Sequence, residues 1–406
     1  MMLFESYRSN RERMKSYYSI DTNVDDLFSC RGNEYAKVAC REYIKEHFDT
    51  GSKSDALAFE GASQYEKAGK HLHTVSLYLL GIYLEEIFEN KICQKINKLI
   101  PGDGSGWYKG EGTYKYSWFL TTLYHDVYSC LEAGSDADNC CCEICQGKLK
   151  KMMEKNVRLH RYRSETVINY CRYRKREGVQ DHGIIGGIQL YKKLTQMYKK
   201  KMKDHPGGYY EEKGLVWREE HLKHYVYVAD AIISHNMWTT LSDNEETCGK
   251  YINNGLEELI IGPGYSGEKL SVDEYPLHFV LCFLDTIEPI KKFTSLSAYE
   301  VLNNISISYE KHREYENDKI FIRWTNVIRE QDKFWDWMKS ISTLSNWMDV
   351  RVSSCNCFEE NCGIMIEILS KRKNEANDKY VNNKGKKSSQ GKCPLISNKE
   401  LLDLID

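Results

Sequence analysis

Five apolar segments of this chain carry a histidine or an aspartate where a helix core ordinarily takes an aliphatic side chain. In HTVSLYLLGIYLEEIF, the residues Val75, Leu79, Leu80, Tyr83, Leu84, Ile87 and Phe88 recur at helical spacing, and His73 stands at the start. SWFLTTLYHDVYSCLE reads as a second helix, with Phe119, Leu120, Leu123, Tyr124, Val127 and Leu131 on its core face and His125-Asp126 within it. HGIIGGIQLYKKLTQMYKKKM begins at His182, and Gly186-Gly187 offers a surface on which another helix can pack closely. HLKHYVYVADAIISHNMW contains His235, and the helix in SVDEYPLHFVLCFLDTIEPIKKF contains Asp285. Asp273 or Glu274 can cap that last helix, Pro276 suits its first turn, and Pro289 limits its end.

A polar group set against such faces must find a hydrogen-bond partner or bind something. Composition supports the helical reading, since 6 prolines in 406 residues leave room for long uninterrupted helices. The charge of −2 rules out a global field that would draw the chain to nucleic acid or membrane. The longest apolar stretch, Thr74 to Leu84, is cut off by Glu85-Glu86 and is too short to cross a bilayer. The start, MMLFESYRSNRERMKSYY, has arginine and tyrosine where a signal peptide has an apolar run, so a cytoplasmic protein is expected.

Fifteen cysteines are scattered without the regular spacing of a small secreted scaffold, and reduced thiols are expected. Two clusters, Cys140 to Cys145 and Cys355 to Cys362, have spacings that leave structural zinc as an alternative.

Residues 1–60 read as an N-terminal helical extension, and residues 61–300 as a helical domain in which every clear element is a helix. PGDGSGWYKGEGTY, HPGGYYEEKG and SDNEETCGKYINNG read as loops within it. In 301–370, KIFIRW, MDVRVSS and GIMIEILS have strand character and DKFWDWMKSISTLSNW is helical, which predicts a small α+β appendage. Residues 371–406 read as a flexible linker followed by a short terminal helix, LISNKELLDLID. The fold class expected is mostly α.

Imidazoles and carboxylates brought together from several helices suit a divalent metal site, with His73, His125, Asp126, His182, His235 and Asp285 as ligands. His71 rivals His73, but a helical His71 would point elsewhere. His221 and His224 compete with His235. Residues 224 and 235 stand roughly 16 Å apart along one helix, so both cannot bind one ion.

The order H … HD … H … H … D on successive helices resembles the HD-domain superfamily of metal-dependent phosphohydrolases, over about residues 65–295. HDVYSCLE resembles the helix of the family's dyad, DHGIIGG its HG step, and AIISHN and FLDTIEP its later ligand helices. The resemblance implies an HD-type helical bundle in which His73, His125, Asp126 and Asp285 hold a first metal. Asp126 would bridge to a second metal on His182 and His235, and would be the catalytic residue that orients a metal-activated water. One or two ions are implied, with manganese, iron, magnesium, zinc and nickel not distinguished. The expected substrate is a small phosphate ester, a nucleotide or relative, with Arg161, Arg163, His224 and Lys291 available to bind it. A nucleotide sensor on the same scaffold and a nuclease acting on single strands are the alternatives.

Overall fold

The computed structural model describes residues 70–89, 91–99, 111–127, 160–179, 181–203, 209–212, 215–218, 220–293, 300–301, 304–310, 318–324, 331–355 and 362–369, with residues 147, 150 and 296 besides. The expected extension at 1–60, the terminal segment 371–406 and the cysteines of the first cluster lie outside the described residues.

The described chain is mostly helical, with a small sheet toward its end. The helices that carry the chemistry are α1 (Lys70–Ile87), α3 (Glu111–Tyr124), α5 (His182–Met202), α6 (Glu220–His235) and α8 (Pro276–Ile287). Between them come α2 (Lys91–Leu99), α4 (Ser164–Arg176) and α7 (Glu245–Ile252). Helix α6 packs on α3, α5 and α8, and α1 packs on α3 and α8. Leu77, Tyr78, Leu80 and Leu84 are all essentially inaccessible to solvent. Together with Leu79 these buried side chains fall on every side of α1, so the helix is packed all round.

Local chemistry fixes the ends of these elements. Asp181 is the N-cap of α5, and its carboxylate accepts from the Ile184 N–H at 2.9 Å. Pro276 opens α8, and the helix stops at Ile287, just before Pro289. Asp273 and Glu274 do not cap α8 as expected. Tyr275 is the capping residue without a side-chain bond, and Asp273 is instead ion-paired with Lys95.

Glycine sets how closely the helices approach. A Cβ on Gly187 would lie 2.6 Å from the Ala229 carbonyl, and one on Gly183 would lie 2.7 Å from the Ile232 carbonyl and 3.0 Å from the His235 ring. These residues let α5 lie almost backbone to backbone on α6. Gly183→Ala should therefore push α5 away at the point where His182 meets His235. The expected cost is about 1–3 kcal/mol, read as a shift in the urea midpoint; an unchanged midpoint would contradict this packing.

Several departures from the sequence reading are evident. Helix α3 starts at Glu111, within the expected glycine-rich loop, and ends at Tyr124, so His125-Asp126 lies in a following turn rather than inside a helix. The segment expected as a wholly helical domain also contains an antiparallel hairpin, β1 (Tyr209–Glu212) and β2 (Leu215–Arg218). It further contains a short parallel pair, β3 (Thr240–Leu241) and β4 (Ile260–Ile261). Cys171 is disulfide-bonded, against the expectation of reduced thiols, whereas Cys93, Cys248 and Cys282 are free and buried.

The last part of the described chain is α+β. Strands β5 (Ile305–Glu310), β6 (Asp318–Trp324), β7 (Val350–Cys355) and β8 (Cys362–Ile368) form an antiparallel sheet in the order β5-β6-β8-β7. Helices α9 (Gln331–Ser342) and α10 (Leu344–Trp347) lie between β6 and β7 in sequence. Ile305, Ile307, Ile320, Ile322, Ile364 and Ile366 alternate onto a buried face. That face joins the helical core in one continuous cluster. The Tyr83 hydroxyl donates to the Ile307 carbonyl at 3.2 Å, and Lys91 pairs with Asp318 at 2.9 Å. No helix among the described residues is long and apolar enough to cross a membrane.

Candidate metal centre

Two groups of ligand-type side chains share one aspartate. His73, His125 and Asp126 have potential ligand atoms within 4.8 Å of one another, and so do Asp126, His182 and His235. Asp285 joins the first group, its Oδ1 lying 3.0 Å from His73 Nε2 and 3.9 Å from His125 Nε2. The structure thus brings together all six residues singled out as ligands in the sequence.

Asp126 divides its oxygens between the groups. Its Oδ2 lies 3.5 Å from His125 Nε2 and 3.7 Å from His73 Nε2, and its Oδ1 lies 3.3 Å from His182 Nε2. The turn after α3 makes this reach available, because the chain has left the helix before the dyad.

Three of the four imidazoles donate from Nδ1, and the fourth, His182, has the Asn236 amide nitrogen 3.5 Å from its Nδ1. His73 Nδ1 donates to Glu288 Oε2 at 2.7 Å, His125 Nδ1 to the Thr122 carbonyl at 3.0 Å, and His235 Nδ1 to the Ile232 carbonyl at 2.6 Å. With Nδ1 committed as donor, the neutral ring of His73, His125 or His235 presents its Nε2 lone pair to the centre. Yet His73 and His125 approach Nε2 to Nε2 at 3.3 Å, and His182 and His235 do the same at 3.3 Å. In the neutral rings of His73 and His125 two lone pairs would meet at that distance, a repulsion that a cation between them relieves. Two donors held at about 2.0–2.1 Å by one tetrahedral ion stand about 3.3 Å apart. The donor set and its spacing fit a divalent metal in each group.

The electrostatics express the same demand. Burial, opposed by Asp126 and Asp285, pushes His125 down to about 3, and burial together with His182 pushes His235 down to about 4. Both are neutral at pH 7, as ligands must be. For His73, burial and Lys291 act downward, but hydrogen bonds to Asp285 and Glu288 prevail and the net shift is upward. Burial would raise Asp285, yet Lys291 and His73 hold its carboxyl well below the usual carboxylate range. His73 and His125 are sealed from solvent, whereas the side chains of His182, Asp285 and Lys291 are 11%, 26% and 22% exposed. The centre therefore opens on the side of those three residues.

The four residues expected to bind substrate fare differently. Lys291 is at the site, its Nζ 2.5 Å from Asp285 Oδ1. Arg161 is half-buried and donates to the Glu268 carbonyl at 2.9 Å. Arg163 is exposed and faces Glu258, with Nε 3.4 Å from the carboxylate. His224 cannot bind substrate as expected. It is buried between α3 and α6, with Nδ1 3.0 Å from Ser117 Oγ. The side chains of His71 and His221 lie outside the described residues.

Burial, with Lys223 as a lesser cause, lowers His224 to about 3. The unfolded chain then takes up a proton that the folded chain refuses. Its stabilising contribution is complete above the ordinary value of 6.5 and is lost as pH falls toward about 3. In metal-free protein, His224→Gln should flatten the loss of urea stability between pH 6 and pH 4 by up to ~1.4 kcal/mol per pH unit. An equally steep profile in the variant would contradict it.

Sequence reasoning missed the supporting residues. Glu288 is fully buried and holds His73, and it also accepts from Ser76 Oγ at 2.6 Å. Its one local signal is the position three residues after Asp285, ahead of Pro289. Asn236 donates to Asp181 Oδ2 at 3.1 Å, which ties the end of α6 to the cap of α5. Comparison with known protein families, curated proteins and solved structures finds no match to this chain.

Proposed function

We propose that this chain is a metal-dependent phosphohydrolase built on an HD-type helical bundle and acting on a small phosphate ester of the nucleotide class. The observation that carries the reading is Asp126 between two imidazole pairs, each pair meeting Nε2 to Nε2 at 3.3 Å. His73, His125, Asp126 and Asp285 would hold one ion, and Asp126, His182 and His235 a second. Divalent ions held there supply a water of lowered pKa and positive charge for a phosphoryl oxygen.

The chain's own residues do the rest. Asp126 fixes the spacing of the two groups and orients the attacking water. Glu288 and the Thr122 and Ile232 carbonyls keep His73, His125 and His235 each in one tautomer and one orientation. Lys291, partly exposed at the opening and paired with Asp285, offers an ammonium to the incoming phosphate. The apolar walls of α1, α3 and α6 exclude water from the far side, which strengthens these charges.

Cleavage of single strands is a second reading with its own observation. Trp238 is 56% exposed, three residues past His235, and the Arg174 guanidinium lies 4.3 Å over its ring. Such a pair can stack a base.

Purified protein should hold about one or two equivalents of transition metal. With manganese it should hydrolyse at least one of p-nitrophenyl phosphate, its bis-ester, nucleoside triphosphates and cyclic nucleotides. Turnover confined to single-stranded DNA would select the second reading. Metal content near zero, with no turnover on any of these, would remove both. Nucleotide-induced thermal stabilisation without turnover would leave a sensor.

A further inference from the structure

A cleft of about 330 Å³ lies between the helical part of the chain and its α+β end, and none of the six metal ligands lines it. One side comes from strands β3 and β4 and the start of α7, the other from the α9–α10 junction and α10. Backbone bonds fix both sides. Strand β3 pairs with β4, the Leu270 N–H donates to the Trp347 carbonyl at 2.8 Å, and the Asp349 N–H donates to the Leu270 carbonyl at 3.0 Å. A cleft held in this way is formed before any ligand arrives.

Its lining is polar, unlike the mostly apolar walls of a common small-molecule pocket. Asp243 is the only charged side chain among the described residues that line it, and its carboxylate bonds no other described residue. The Asn346 amide, on the opposite side, is likewise unengaged among the described residues. Asn244 Oδ1 accepts from the Thr247 N–H at 3.1 Å, so its NH2 group remains to donate. The Thr343 hydroxyl donates to the Ser340 carbonyl at 2.7 Å, so its oxygen remains to accept. Trp347 packs in part against the core and lines the cleft with the rest of its ring.

These groups disfavour two classes of ligand. An anion, a nucleotide included, would meet the Asp243 carboxylate with no cation beside it among the described lining residues. An ammonium would engage Asp243 but has no acceptor for the N–H groups of Asn244 and Asn346. A neutral polyhydroxylated ligand satisfies both kinds of group, because every hydroxyl donates and accepts. A sugar ring also presents a C–H face that can lie on the electron-rich face of an indole. The volume stands at the low end of ligand pockets, roughly 300–1,000 Å³, which limits the occupant to about one such ring.

We propose that this cleft binds a neutral monosaccharide, with Asp243 accepting from its hydroxyls, Asn244 and Asn346 donating to others, and Trp347 covering one face of the ring. The site requires neither phosphate nor metal. It therefore stands whether or not the centre at Asp126 hydrolyses a phosphate ester.

Saturation-transfer NMR on the full chain tests this, with D-glucose, D-galactose and D-mannose as separate probes. At least one sugar should take up saturation most strongly at its ring C–H protons, with a Kd of about 1 mM. Asp243→Ala and Asn346→Ala alter exposed side chains that bond no other described residue, so both should keep the parent's melting temperature. Binding should weaken about tenfold or more in the first and about threefold or more in the second. Trp347→Leu keeps an apolar contact with the core and should abolish transfer to the ring C–H protons. No transfer to any of these sugars would mean that the cleft holds only water, and would overturn the site. Equal binding in Asp243→Ala and the parent would overturn it too, as would binding of putrescine or free adenine in place of every sugar.

Discussion

Asp126→Ala should remove metal from both groups at once and, on the proposed hydrolase reading, lower turnover by roughly 10³-fold or more, while the helical fold persists. The size of the effect follows from the division of one carboxylate, with Oδ1 facing His182 and Oδ2 facing His125 and His73. No other side chain among the described residues belongs to both groups. The fold should survive because Asp126 lies in the turn beyond the last residue of α3. Circular dichroism should therefore match the parent, while elemental analysis shows metal falling toward zero. Asp126→Asn keeps the shape, loses the charge and should lose metal almost as completely. A variant that keeps two metal equivalents, or full activity, is incompatible with this arrangement.

Glu288 is the supporting residue whose loss should cost both stability and metal affinity. It is fully buried, and its two oxygens accept from His73 Nδ1, Ser76 Oγ and the N–H groups of Ile290 and Lys291, at distances from 2.6 to 3.3 Å. Glu288→Ala strands these donors in the core, and metal-free protein should lose about 3–5 kcal/mol. Glu288→Gln preserves the volume and much of the bonding, so most of that stability should return. Metal affinity should not return with it. The amide makes His73 a weaker base, and binding should stay about 10–100-fold weaker than in the parent. A purely structural role would instead restore affinity and stability together.

How much of this was legible in the sequence depends on how each feature is encoded. Helices α1, α5, α6 and α8 could be read because long apolar periodicity and a buried polar residue coincide in each, with Pro276 and Pro289 marking the limits of α8. The end of α3 at Tyr124 could not, since LYHDVYS contains neither glycine nor proline to announce the turn. The hairpin at 209–218 was missed because four-residue strands such as YYEE alternate too briefly to distinguish them from a polar loop. In the sheet, the strands around KIFIRW, MDVRVSS and GIMIEILS were visible, and ISISYE was not picked out.

At the centre, the ligands were readable because their setting is unusual for their type. Their supports were not. Glu288 is 215 residues from the histidine it orients, and glutamate beside proline looks like an ordinary helix end. His224 and His235 have the same local signature, a histidine on an apolar helix. Only the fold separates them, by setting Ser117 against the first and His182 against the second. The buried His160–Asp230 pair, at 2.6 Å, was invisible for the same reason.

A crystal of protein grown with manganese, measured just above the manganese absorption edge, addresses the central claim directly. The account predicts anomalous density in two places, one among the ligand atoms of His73, His125 and Asp285, the other between His182 and His235, with an Asp126 oxygen turned to each. Density elsewhere with none beside Asp126, or imidazole pairs joined only by hydrogen bonds at full manganese, would contradict it.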